Sequence, residues 1–152
     1  MKMPLVLWGL VVLAGFAATH WAVGAGAVQE AYAWIGWAVI LNILNWYVGK
    51  GMKGDAGTAM AWKVFGAFGF LTTLVIALTG WAPLWWLMSL WLLLMGAMMY
   101  SSTHEKTDAT MMAGSLVYMF SALFVSGFGA NYWLVGGVIL GLPAILHGLV
   151  WK

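Results

Sequence analysis

Tyr47-Val48-Gly49-Lys50-Gly51-Met52-Lys53-Gly54-Asp55-Ala56-Gly57 marks the point where one apolar run stops, the chain takes on charge, and a second apolar run begins. The run before it, 31–48, and the run after it, 59–79, are each close to the ~20 residues that cross ~30 Å of hydrocarbon as a helix. The break therefore reads as a loop at a membrane surface, held in water by two lysines. The same alternation extends along the chain in both directions and divides it into six apolar stretches, 4–23, 31–48, 59–79, 82–101, 111–127 and 131–150. The predicted fold is an all-α polytopic membrane protein, one domain over 1–152 with six transmembrane helices.

Charge gives a second reading that agrees with hydropathy. The six lysines are Lys2, Lys50, Lys53, Lys63, Lys106 and Lys152, and the chain has no arginine. A six-helix path places the amino terminus, the loops after the second and fourth helices, and the carboxyl terminus on one face. All the lysines fall there, with Lys63 one turn inside the third helix. The positive-inside rule makes that face cytoplasmic and puts both termini on it. The expected location is the cytoplasmic membrane of a prokaryote, with the lipid bilayer as the first partner. The opening run is ~20 residues long rather than the 7–15 of a signal-peptide core, so the first helix is expected to be retained.

Composition narrows the function. A chain of 152 residues that is 64% hydrophobic and 7% charged, with a mean hydropathy of +0.96, lacks the polar surface of a water-soluble domain. The net charge of +2 is spread thinly, with no nucleic-acid footprint and no polybasic lipid-binding patch. With no cysteine, thiol catalysis and thiolate metal sites are excluded. No serine-histidine-acid set, phosphate loop or acid pair is present, so no catalytic residue is assigned and an enzyme is not expected. His20 and His147 sit near opposite membrane faces and His104 in a loop, so they cannot share an ion. Neither a metal nor another cofactor is expected.

Side chains that are costly in lipid mark where function belongs. Asn42 and Asn45 share a face of the second helix, Thr72 and Thr73 lie in the third, and Ser115, Tyr118 and Ser121 in the fifth. They are read either as helix-to-helix hydrogen bonds or as the wall of a substrate path. Gly137, Gly141, Ala144 and Gly148 follow one another at spacings of four, three and four, which suits helix packing within one subunit, an oligomer contact or a pore groove. Lys63 either attracts anions at the cytoplasmic mouth or snorkels as an anchor. Trp8, Trp21, Trp46, Trp81, Trp133 and Trp151, near helix ends, are read as headgroup anchors. Trp85, Trp86 and Trp91 are read as lipid- or neighbour-facing bulk.

The order of motifs resembles the acetate uptake transporter family of acetate and succinate permeases. Pro4-Leu5-Val6-Leu7-Trp8-Gly9-Leu10 resembles the N-P-x-P-L-G-L opening of that family, with Met1-Lys2-Met3 standing where its first residues are and Val6 in place of its glycine. Lys53-Gly54-Asp55 is similar to the K-G-N loop, and Phe65-Gly66-Ala67-Phe68 to the S-Y-G-x-F-W run. Leu90-Trp91, Ser115-Leu116 with Phe120 and Leu123, and Gly137, Gly141 and Ala144 fit the later helices. The resemblance implies a protomer with its own pore, assembled as a homohexamer. It also implies a constriction from Leu10, Phe65 and Leu116, and a size-tuning role for Ala144.

The expectation is a channel or proton-linked symporter for a small monocarboxylate such as acetate, or succinate. Asn42, Asn45, Thr72, Ser115, Tyr118 and Ala144 line its path. An apolar ring passes a neutral acid more readily than a bare anion, because desolvating charge is far costlier than desolvating a hydroxyl. A urea or amide channel and a non-transporting accessory subunit of a larger membrane complex are the alternatives.

Overall fold

The computed structural model describes residues 3–51, 56–101 and 109–150, with side chains at 3–48, 59–101, 109 and 112–150. Lys2, Lys53, Lys106, Lys152, Asp55, His104, Glu105, Asp108 and Trp151 lie outside the described residues, and Lys50 enters by its backbone alone. Six helices follow in order: α1 (Met3–Gly24), α2 (Glu30–Gly51), α3 (Ala56–Thr79), α4 (Trp86–Ser101), α5 (Ala109–Ala122) and α6 (Tyr132–Val150), with a 3-10 segment at Val125–Asn131. No strand occurs among the described residues.

Neighbours in sequence pack as antiparallel pairs because the links between them are short. Two of those links turn on glycine in the left-handed region, where a Cβ would be strained. Gly26 (φ 71°) follows α1, and Gly80 (φ 65°) closes α3 while donating to the Ile76 carbonyl. The first and last helices also lie side by side. Val6, Gly9, Val12 and Phe16 form one stripe of α1, and Gly148, Gly141 and Gly137 meet it from α6 in reverse order. A Cβ built on Gly9 lies 2.5 Å from the Gly141 carbonyl oxygen, and one on Gly141 lies 2.6 Å from that of Gly9. Backbone touches backbone here, which is how helices gain dispersion contact where lipid offers no hydrophobic drive. The glycine series of α6 is thus used for packing within one subunit.

Four segments are long and apolar enough to cross a membrane: Met3–Gly24, Glu30–Val48, Ala59–Thr79 and Val125–Val150. The other two helices depart from the expected bounds. α4 starts at Trp86 rather than 82, because residues after Pro83 take tight turns in which Trp86, Leu87 and Met88 donate to the carbonyls of Pro83, Leu84 and Trp85. α5 ends at Ala122 rather than 127. Leu123, Phe124 and Gly127 switch to three-residue bonds, and Gly129 leaves the helical region altogether (φ 53°, ψ −131°). At 16 and 14 residues, α4 and α5 are about 24 and 21 Å long.

Candidate functional site

All six helices contribute to one partly enclosed cavity of about 30 Å³. Leu5 and Trp8 come from α1, Val48 from α2, Trp62 from α3, Met95 and Met99 from α4, Tyr118 from α5, and Ala144 and His147 from α6. It lies in the half of the bundle where α1 begins and α6 finishes. The volume suits one or two water-sized groups. Its wall is mostly hydrocarbon and thioether, with an imidazole, two indoles and a phenol as its polar groups. The phenol is already engaged, since Tyr118 Oη donates to the Leu140 carbonyl at 2.8 Å.

The opposite half is filled by aromatic rings. Phe16 stands edge-on to Trp34, Trp37 and Trp133, and Trp34 stacks with Trp133 at a centroid distance of 4.4 Å. Phe16, Trp34 and Trp133 are buried, with Trp37 nearly so. Tyr132 stacks beside them and donates its hydroxyl proton to the Glu30 carboxylate in a very short contact, while Trp34 Nε1 donates to the same hydroxyl at 3.0 Å. This chain of bonds ties the start of α2 to the start of α6.

A pattern recurs three times among the interior polar groups: an indole from one helix meets an oxygen from its neighbour in sequence. Trp8 Nε1 donates to Asn45 Oδ1 (3.1 Å), Trp37 Nε1 to Thr19 Oγ1 (2.8 Å), and Trp91 Nε1 to Thr73 Oγ1 (3.1 Å). Thr19 and Thr73 pass their own protons to carbonyls four residues back, at Gly15 and Gly69. Asn45 also reaches the Met95 sulfur at 3.8 Å. Unpaired polar groups in a dry interior are costly, so the tryptophans and their partners select one another.

Placed on this frame, the residues singled out from sequence separate into groups. Tyr118 and Ala144 line the cavity, as does Leu5 of the opening motif. Asn45 and Ser115 are buried and bonded within the bundle, Ser115 donating to the Met112 carbonyl at 2.7 Å. Asn42 is half-buried and donates to the Ala38 carbonyl, and Thr72 is half-buried beside the fully buried Thr73. Pro4 is half-buried, Leu7 faces outward, and Gly9 packs on α6. Lys63 is exposed on the α3 surface.

The expected ring of Leu10, Phe65 and Leu116 is not assembled within the chain. Leu10 stands two residues from Trp8 and Leu116 two from Tyr118, about 200° around each helix from a cavity-lining side chain. They are 48% and 40% exposed on the outer faces of α1 and α5. Phe65, three residues from Trp62, packs half-buried against the core. The anchor reading of the tryptophans also divides. Trp21, Trp46 and Trp81 are exposed at helix ends, but Trp8 and Trp133 are buried, each turned toward the bundle by its place on a packed face. Trp34 and Trp37 are not among the residues that the sequence singles out; their spacing of three, matched by Thr19 and Phe16 on α1, is the signal that places them on one face.

Comparison of the chain with protein-family models, with curated proteins and with solved structures finds no match.

Proposed function

We propose that this chain crosses the membrane six times with both termini on the cytoplasmic side, and that it acts on a small solute taken into the six-helix cavity. The lysine distribution supports the orientation. The observation that carries the functional reading is the cavity itself, to which every helix contributes, facing a packed aromatic block in the other half of the bundle. That asymmetry suits a carrier, which exposes its site to one side at a time, better than a channel, which needs a continuous path.

The solute favoured by the wall is a small uncharged one. Acetic acid, or acetate crossing with a proton, keeps the sequence resemblance in use and avoids a bare carboxylate among Leu5, Val48 and Met95. About 30 Å³ leaves little room, so binding displaces the flexible Met95 and Met99 side chains. In this reading the selective residues are Trp8, Tyr118, Ala144 and His147 rather than the outward leucines. A ring of copies, as the resemblance implies, would cover Leu10 and Leu116 by contact between protomers.

A second reading is a non-transporting subunit of a larger membrane assembly. It is favoured by the bonding of Asn45 and Thr73, which serve helix-to-helix contacts, and of Ser115, which bonds within its own helix, instead of lining a path. Uptake of labelled acetate and of urea into proteoliposomes separates the possibilities. The carrier reading expects saturable acetate uptake that falls several-fold in Ala144→Leu and is unchanged in Leu116→Ala. Uptake of urea but not acetate indicates an amide pathway. No flux above empty vesicles for any solute, from protein shown to be folded, leaves the accessory role.

A further inference from the structure

We propose that the cavity binds a soft monovalent cation, Cu(I) or Ag(I), through the thioethers of Met95 and Met99 and the imidazole of His147. This goes beyond the carrier reading and does not depend on it.

The ligands are brought together by register. Met95 and Met99 are four residues apart on α4 and so share a face. α4 and α6 run in the same direction and touch where Gly136 receives the Met88 side chain. Eleven residues beyond that contact along each helix stand Met99 and His147, and both line the cavity with Met95. Met95 and His147 are buried and Met99 is half-buried. Asn45 occupies one side of the Met95 sulfur, and a thioether has a second lone pair to give.

The donor set selects the ion. Among the described residues no three histidine, cysteine, aspartate or glutamate side chains come together, so there is no site of the usual hard or borderline kind. Two thioethers are soft donors and an imidazole is a borderline one that also suits copper, and as ligands none of the three brings a negative charge. Soft thioethers favour Cu(I), whereas zinc, magnesium and calcium are held by thiolate, imidazole or oxygen sets. Charge argues the same way. The penalty for burying an ion grows with the square of its charge, and neutral ligands bring no countercharge against a second unit. Trp8 and Trp62 stand in the same wall, and indole rings are the side chains that best attract a single positive charge by cation–π interaction. At about 30 Å³ the cavity is large enough for one such ion. His20, on α1 and half-buried against Trp21, is not in the lining and takes no part.

The purified full chain in detergent is titrated with silver nitrate in chloride-free buffer and, separately, with Cu(I) held by a competing chromogenic chelator. One ion bound per chain, with quenching of tryptophan fluorescence, is expected. Met95→Leu and Met99→Leu, which conserve volume, should each lower affinity at least about 10-fold, the loss seen even for groups behind a metal's ligands. Met112→Leu, at an exposed methionine on α5, should not change it. X-ray absorption of the Cu(I)-loaded unsubstituted chain should show two sulfurs and one nitrogen, a readout that does not rely on any variant folding. Zinc at the same concentration should not compete. Binding that Met112→Leu weakens as much as Met99→Leu, a metal shell without sulfur, or no binding at all overturns the proposal.

Discussion

Trp8 and Trp133 are both buried indoles, yet they should respond differently to the same substitution. Trp8 Nε1 donates to Asn45 Oδ1, so Trp8→Phe leaves a buried amide oxygen without its donor. Trp133 Nε1 is buried with no hydrogen-bond partner among the described residues, so Trp133→Phe removes an unsatisfied group along with some packing area. An unmet buried donor or acceptor is worth ~1–3 kcal/mol in water-soluble proteins, and membrane pairs average ~0.6 kcal/mol. Thermal unfolding in detergent should therefore find Trp8→Phe less stable than Trp133→Phe by about 0.5–2 kcal/mol. Asn45→Leu should recover part of the Trp8→Phe loss, since removing both partners is milder than removing one. Equal stability of the two single variants would show that the Trp8–Asn45 bond contributes nothing net.

Pairing of whole helices depends on glycine in one place and is indifferent to it in another. Gly9 and Gly141 hold α1 and α6 at backbone contact, and a methyl on either overlaps a carbonyl oxygen of the opposite helix. Gly9→Ala and Gly141→Ala should each destabilise by roughly 1–3 kcal/mol, the usual range for an overpacked interior. Gly36, in mid-α2, has open space where its Cβ would stand. There, alanine should raise stability by up to about 1 kcal/mol through helix propensity alone. The two substitutions are chemically identical and differ in sign because of what faces them. A stabilising Gly9→Ala, measured in the same unfolding assay, would mean that the α1–α6 contact is looser than described.

Six crossings require α4 and α5 to traverse the bilayer although they are about 24 and 21 Å long against ~30 Å of hydrocarbon. On that topology the turns at 83–86 and the 3-10 segment Val125–Asn131 would supply the missing length at one end; Trp81, Trp85 and Phe128 are exposed around them. Because the chain has no cysteine, single-cysteine labelling with a membrane-impermeant reagent tests this cleanly. Ala27→Cys and Ala130→Cys should react from one side of sealed vesicles and Lys53→Cys and Lys106→Cys from the other. Reaction of Ala130→Cys and Lys106→Cys from the same side would mean that α5 does not cross, and the positive-inside topology would fail with it.

Helix number and approximate bounds were readable in the linear chain because polar breaks divide it into apolar runs of similar length, marked by composition residue by residue. The places where those bounds slipped, at Pro83 and at Gly127 and Gly129, are turns set by local hydrogen bonding within otherwise apolar stretches, where hydropathy has no contrast to offer. Facing was a different matter. In a chain apolar on every side, the amphipathic stripe that reveals the inner face of a water-soluble helix is missing, so Leu10 could not be told from Trp8, nor Leu116 from Tyr118, by polarity. Which side of each helix turns inward followed from packing: glycine of α6 against α1, and the indoles of Trp8, Trp37 and Trp91 each meeting an oxygen across a helix boundary. The meeting of Met95, Met99 and His147 belongs to that same class of outcome, since it depends on the register of two helices whose sequences lie some fifty residues apart.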